Sequence, residues 1–440
     1  MTVPLMTTAA PPSPPARTTR RRRLSTSTVT AVGALAAVLV VSAAREISDN
    51  PNLTSAGTFG VMVRTAAPLA LAGLAGLFAE RSGTVNIGLE GMMIMGTIFA
   101  GWWGWEMGPW MAIVGGIFGG VLGGLLHAVA TATFGVNHIV SGFAINIIAP
   151  GVARFMAGLL FVDESGAGID GGSISNSPGM SSPIGKFTLP LLSGGDLFGW
   201  RSPDPLGWLA DKEWFVISDV AGFMAGLTSA LTLDIILTAA VFVASTYVLW
   251  RTPFGLRLRS AGERPSAADS LGVPVLRYRY YGMLISGGLA GLGGAVMVLF
   301  ANRYQENQVG GRGFLGLATL VVGNWRPAGV AAGAALFGYF QGITLRTNPE
   351  QLVLALLLVA SLGLAVAALF SAVRQQWAPL IAAGVVSVGC GWLYLVADRP
   401  NNQFVYITPY LVTLIMVSVR GQALRPPAQA GVPWRKGMQI

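Results

Sequence analysis

RTPFGLRLRSAGERPSAADSLGVPVLRYRYY, residues 251–281, is a polar island between two long apolar runs. It carries Arg251, Arg257, Arg259, Arg264, Arg277 and Arg279 against Glu263 and Asp269. Arginine-rich loops beside membrane spans stay on the cytoplasmic side, so this stretch sets the expected orientation of the whole chain. Within it, Arg264 to Leu271 is expected to form a short helix, with Pro265 in its first turn and Gly272, ahead of Pro274, as its stop. On charge alone the stretch is a solvated loop that obeys the orientation rule. A short helix rich in small residues is also what the groove of a soluble partner accepts.

Working outward, the 440 residues are 53% hydrophobic and 11% charged, with a mean hydropathy of +0.61. A soluble domain carries about a quarter charged residues, so the chain reads as an all-α integral membrane protein, a polytopic helical bundle. Its apolar runs lie near the ~20 residues that cross a bilayer as helix. The formal net charge of +9 resides mainly in the termini and in the island, where topology and anionic lipid account for it, and no nucleic-acid partner is expected. The single cysteine, Cys390, lies in an apolar run, which excludes an internal disulfide and a thiolate cluster. His127 and His138 have no neighbouring carboxylate in sequence, so neither a metal site nor a cofactor is expected.

Residues 1–28 hold no acid and the cluster Arg20–Arg23, as a disordered cytoplasmic tail would. Residues 29–44 read either as a cleaved signal peptide or, preferred here, as a first span that is kept. Residues 59–79 form a second span. In SGTVNIGLEGMMIMG, 82–96, Gly83, Gly88 and Gly91 break the helical pattern, and Asn86 and Glu90 fall one turn apart on one face. Polar groups at that depth either face protein or a water-filled path, or cap the third span at the interface. The fourth span, 109–131, contains Gly115, Gly119 and Gly123 beside Gly116, Gly120 and Gly124, two ridges for close helix packing. Asn137, Ser141 and Asn146 mark the fifth span, 137–161.

Residues 162–221 form one long loop, poor in bases and therefore expected outside. Two look-alike nucleotide motifs in it, Gly166–Gly171 and Gly179–Lys186, lack the strand context or the spacing and are discarded. Spans at 229–249 and 281–301 flank the island, and Asp234 is expected to reach water. GFLGLATLVVG, 313–323, covers only ~17 Å as helix, about half the hydrocarbon core. Such half-helices line the path in transporters, and the alternative is an ordinary span extended outward through 303–312. Spans at 328–345, 351–371, 378–396 and 404–419 complete the chain.

ERSGTVNIGLEGMM (80–93), NHIVSGFAIN (137–146), GLRLRSAGERPSAADSLGV (255–273) and GFLGLATLVVGNWRPAG (313–329) together resemble the permease subunits of bacterial ABC importers. The superfamily is that of branched-chain amino acid and ribose permeases, and the branch is the nucleoside and simple-sugar one. The resemblance implies a core of about ten helical spans at 29–345 and 404–420, one of them a half-helix or broken segment. The chain departs from that pattern at 346–403, an extra apolar hairpin, and span parity with the basic Arg425, Arg435 and Lys436 makes 421–440 a cytoplasmic tail. The resemblance implies a non-enzymatic chain that pairs with a second homologous permease, docks cytoplasmic ATPase subunits and receives solute from an extracytoplasmic substrate-binding lipoprotein. It carries a coupling role onto Gly255, Arg259, Gly262, Glu263, Pro265, Ala267, Ala268 and Gly272. It places Asn86, Glu90, Asn137, Ser141 and Asn146 along the translocation path. An ion-coupled secondary transporter is the rival reading; a membrane-embedded enzyme lacks any nucleophile–base set.

Overall fold

The structure, a computed structural model, describes residues 26–162, 176–180, 184–197, 200–229, 231–397 and 424–434. Most of the expected N-terminal tail, the last span at 404–419 and the Gly166–Gly171 look-alike lie outside these residues. In chain order the helices are α1 (Thr26–Ser48), α2 (Ala56–Arg81), α3 (Leu89–Met107), α4 (Pro109–Ala128), α5 (His138–Leu160), α6 (Pro205–Ala210), α7 (Ile217–Thr228) and α8 (Leu233–Arg251). They continue as α9 (Pro253–Glu263), α10 (Pro265–Ser270), α11 (Val275–Ala301), α12 (Arg312–Val322), α13 (Pro327–Thr344), α14 (Pro349–Val373) and α15 (Trp377–Val396). Among the described residues, strands are confined to two short antiparallel pairs. Lys186–Phe187 (β1) pairs with Leu231–Thr232 (β4), and Asp196–Leu197 (β2) with Trp200–Arg201 (β3). Among the described residues, seven helical stretches are long and apolar enough to cross a membrane: 51–81, 109–133, 138–160, 233–251, 275–301, 349–373 and 377–396.

The core surrounds α2 and α11, whose apolar windows are each 72% buried, against 22% for α14 and 6% for α15. The hairpin α14–α15 therefore lies at the edge. It is held together by Ser361 and Ser387, each donating its hydroxyl to the other's carbonyl at 2.9 and 2.8 Å, and α14 packs on α1 through Ala44, Leu352 and Ala355.

The glycine ridges of α4 face two different helices. A β-carbon at Gly120 would stand 2.6 Å from Gly291 Cα of α11, whereas one at Gly119 would stand 2.8 Å from the Met95 carbonyl carbon of α3. Bare backbones thus touch on both sides, and dispersion between them replaces side-chain interdigitation.

Three expectations are revised. The island is mostly helical: Thr252 accepts from Gly255 N at 3.2 Å and Pro253 occupies the first turn, so α9 begins immediately after α8. Arg279 is 2% exposed, because it falls on the inward stripe Val275, Tyr278, Gly282, Met283 and Ser286 of α11. Asp234 does not reach water freely; it is 4% exposed in a cavity of 190 Å³ with Arg64, Lys186 and Asn302, roofed where β1 pairs with β4.

Candidate functional site

The short helix is placed as its sequence indicates. α10 starts at Pro265, and Arg264, held extended by the proline after it (φ −146°, ψ 78°), separates it from α9. Gly272 closes it at φ +81°. α9 and α10 form a knob at the Arg-rich end of the molecule, opposite the end that bears β1–β4. The knob has two faces. Gly255, Gly262, Pro265 and Ala268 point inward and are buried, while Arg264, Ser266, Ala267, Ser270, Leu271 and Gly272 are exposed, Leu271 by 84%.

The inward face attaches the knob to a node where three separated stretches meet. A β-carbon at Gly262 would stand 2.8 Å from both the Arg81 carbonyl carbon and Gly83 N, so only hydrogen fits there. Arg81 donates Nη1 to Glu263 Oε1 at 3.0 Å and Nη2 to Trp325 O at 2.9 Å. Trp325 in turn donates its indole N–H to Glu80. Arg81 and Arg259 both lie over the Trp250 ring, at 5.8 and 5.6 Å from its centroid. One guanidinium, with its fork of donors, therefore joins the knob to the chain that leaves α12.

Above the node the chain is non-helical from Ser82 to Gly88, and its backbone groups find side-chain partners on two helices, α4 and α5. His127 meets Val85 O with Nε2 at 3.1 Å and Ser141 Oγ with Nδ1 at 2.8 Å. A carbonyl only accepts, so Nε2 carries the proton and Ser141 donates to Nδ1. His138 Nδ1 accepts from Val85 N at 3.1 Å. Two histidines thus bind both polar groups of one residue. Asn146 accepts from Gly91 N at 2.8 Å and donates to Ile87 O at 2.9 Å, while Asn86 donates to Ser286 Oγ at 2.9 Å. Such pairing is what backbone needs where no water reaches it.

Glu90 reaches further. Its two carboxylate oxygens accept from Gly311 N and Gly313 N, each at 2.7 Å. Gly311 is the N-cap of α12, which has eleven residues. The carboxylate therefore closes the positive end of the half-helix and satisfies amides that would have no partner within it.

Of the five polar residues singled out along the path, four gather around the break and the half-helix: Asn86, Glu90, Ser141 and Asn146. Asn137 sits apart, exposed, as the N-cap of α5, where it accepts from Ile139 N at 2.9 Å. Each is bonded to protein, so in this conformation they fix the shape of the break. Sequence reasoning assigned no role in this site to Glu80, Arg81, His127, His138, Arg279, Ser286 and Trp325. Arg279 had a signal in its three-to-four spacing with buried neighbours, and Glu80-Arg81 stood inside a quoted motif. The roles of His127 and Ser286 depend on contacts across 42 and 200 residues. Among the described residues no group of three or more His, Cys, Asp or Glu side chains is arranged to hold a metal ion.

Comparison with known proteins agrees with this architecture. Residues 57–362 match the family model described as the permease component of branched-chain amino acid transport systems. The nucleoside ABC transporter permease NupC of Lactococcus lactis is 34% identical over 285 residues, 63% of this chain and 78% of its own. The guanosine ABC transporter permease NupQ of Bacillus subtilis is 36% identical over 288 residues, 64% of this chain and 79% of its own. No solved structure matches. All four motifs that carry the resemblance fall inside the family match, and so do the break, the half-helix and the knob. This chain belongs to the permease-component family of the branched-chain amino acid transport systems.

Proposed function

We propose that the chain is the transmembrane permease subunit of an ATP-binding cassette importer that carries nucleosides, or a closely related simple sugar, across the plasma membrane. The observation that carries the coupling half of this reading is the two-faced knob: an inward face locked to the node and an outward face of Ser266, Ala267, Ser270 and Leu271 open to a partner. A cytoplasmic ATPase grips that outward face, and closure of the paired ATPases drives the node through Glu263 and Arg81. The Arg-rich end and both termini are then cytoplasmic, and the β1–β4 end meets an external substrate-binding lipoprotein. A second homologous permease completes the path, and the core comprises about ten spans, with α12 as a half-length crossing and α14–α15 as a peripheral hairpin.

Two observations favour a neutral solute. The most similar relatives described above are named for nucleosides and guanosine. In addition, the positive end of a broken helix is where transporters hold a substrate carboxylate, and here Glu90 fills it. An amino acid carboxylate would have to displace that group. Asn and Ser side chains suit hydroxyls and nucleobase edges instead.

The test is uptake in vesicles that carry the permeases and their ATPases, with the substrate-binding lipoprotein on the face opposite the ATPases. Labelled nucleoside should enter only when ATP is supplied on the Arg-rich side, and collapse of ion gradients should leave uptake unchanged. Leu271→Asp, which puts a charge on the exposed face and touches nothing in the core, should lower uptake at least tenfold and weaken ATPase co-purification. Uptake that persists without ATP and stops with an ionophore would transfer the chain to the ion-coupled carriers.

A further inference from the structure

The C-terminal peptide 424–434 reads in sequence as a tail, LRPPAQAGVPW, yet it lies against the node and touches each of its parts. Gln429 donates its backbone N–H to Gly262 O at 3.0 Å, and Ala428 donates to Glu263 Oε2 at 3.2 Å. Gly431 donates to Gly83 O at 3.1 Å, in the break. Arg425 N donates to Asn324 Oδ1 at 2.7 Å, just beyond α12. Arg279 Nη1 donates to Val432 O at 2.9 Å. Trp434, 8% exposed, is packed into the main apolar core, with Leu424 against it.

From this geometry we infer that residues 424–434 are a positioning strap that ties the knob to the half-helix. The inference rests on the reading of the knob as the ATPase grip. Two links then run in parallel from the knob towards α12. One is Glu263–Arg81–Trp325, a side-chain link that depends on a half-exposed carboxylate. The other is the strap, which bonds the knob by backbone at Gly262 and the α12 exit at Asn324. Between these ends it also holds Gly83, so a displacement of the knob is passed to the break and to α12 together.

The bonding at Arg279 gives the strap a second effect. This guanidinium is 2% exposed, and among the described residues its Nε and Nη2 meet no acceptor. Val432 O is the acceptor it has. A buried cation stripped of its acceptor is strongly unfavourable, so loss of the strap would force the inner end of α11 to rearrange.

The experiment compares three forms of the full transporter: wild type, a chain ending at Ala423, and Trp434→Ala, which keeps the whole peptide but removes its buried anchor. The expected result for both variants is at least a tenfold loss of uptake, while the ATPase still co-purifies and still hydrolyses ATP. Uptake at the wild-type rate in both would overturn the inference. Loss of ATPase co-purification would also overturn it, because the peptide would then belong to the grip itself. Retention of ATPase by Leu271→Asp refutes the reading of the knob instead, and leaves the strap measurements to be judged separately. A disulfide separates a tie from a gate. In a Cys390→Ser background, a β-carbon at Gly431 would stand 3.9 Å from Val85 Cβ, within the disulfide range of about 3.5–4.5 Å. With Val85→Cys and Gly431→Cys, the oxidised protein should transport as well as the reduced one. Transport restored only by reduction would show that the strap must leave, and would overturn the tie.

Discussion

Gly262→Val should reduce ATP-driven uptake at least tenfold while the protein remains in the membrane at its normal level. The side chain would enter the space between the Arg81 carbonyl and Gly83 N, both backbone, with no flexible side chain to give way. Overpacking of this kind costs about 1–3 kcal/mol or more, and it acts by pushing the knob off the node. The ion pair at the same place is the weaker effect. Glu263 is 44% exposed at its side chain against 16% for Arg81, so the pair contributes at most about 1 kcal/mol after solvent screening. Glu263→Gln should therefore transport measurably, and Gly262→Val should not. Parallel uptake and membrane-level assays decide the matter: wild-type uptake by Gly262→Val would remove Gly262 from the coupling account. The apolar core around α2 and α11 carries the membrane fold and draws only Leu258, Ala261 and Ala268 from the knob, so protein levels should hold.

Glu90→Ala should have the second largest effect, this time on stability. It leaves the Gly311 and Gly313 amides without their acceptor at the start of α12. Each amide loses a charge-assisted bond, and two such losses cost about 3–5 kcal/mol if the site stays dry. Gln, which retains one acceptor oxygen but no charge, should lose roughly half as much. Thermal unfolding of the detergent-solubilised protein measures the order, wild type above Gln above Ala. An Ala variant that melts with the wild type would show that the carboxylate does not hold the half-helix. Uptake of the neutral solute should fall along with stability, since α12 would lose its fixed start.

Much of this was legible in the sequence, and the reasons differ by element. The break at 82–88 announced itself through Gly83 and Gly88, and α10 through Pro265 and Gly272, because proline and glycine restrict or free the backbone locally. α9 was legible too, in Thr252-Pro253, but the density of arginines favoured a loop reading. Arginine counts report the side of a membrane and say nothing of burial, so Arg279 was grouped with its solvated neighbours. What satisfies the break was not legible. His127, His138, Asn146 and Ser286 act on backbone groups many residues away, and a lone histidine in an apolar run reads the same whether or not it binds a distant carbonyl. The strap was the least legible element. It binds mainly through backbone N–H and C=O groups, which every residue except proline offers in full, so its sequence carries only Trp434 as a mark. Glu90 was singled out as a group that faces protein or a path, or caps the third span, and spacing alone does not reveal that its partner is the amide end of α12.

A cytoplasmic ATPase that grips the outward face of α10 must come within reach of a cysteine placed there, Ala267→Cys in the Cys390→Ser background, in the assembled transporter. The thiol is expected to form a cross-link with the ATPase subunit and to resist a membrane-impermeant reagent added to intact cells. Labelling of that thiol from outside the cell, with no cross-link to the ATPase, would contradict that grip.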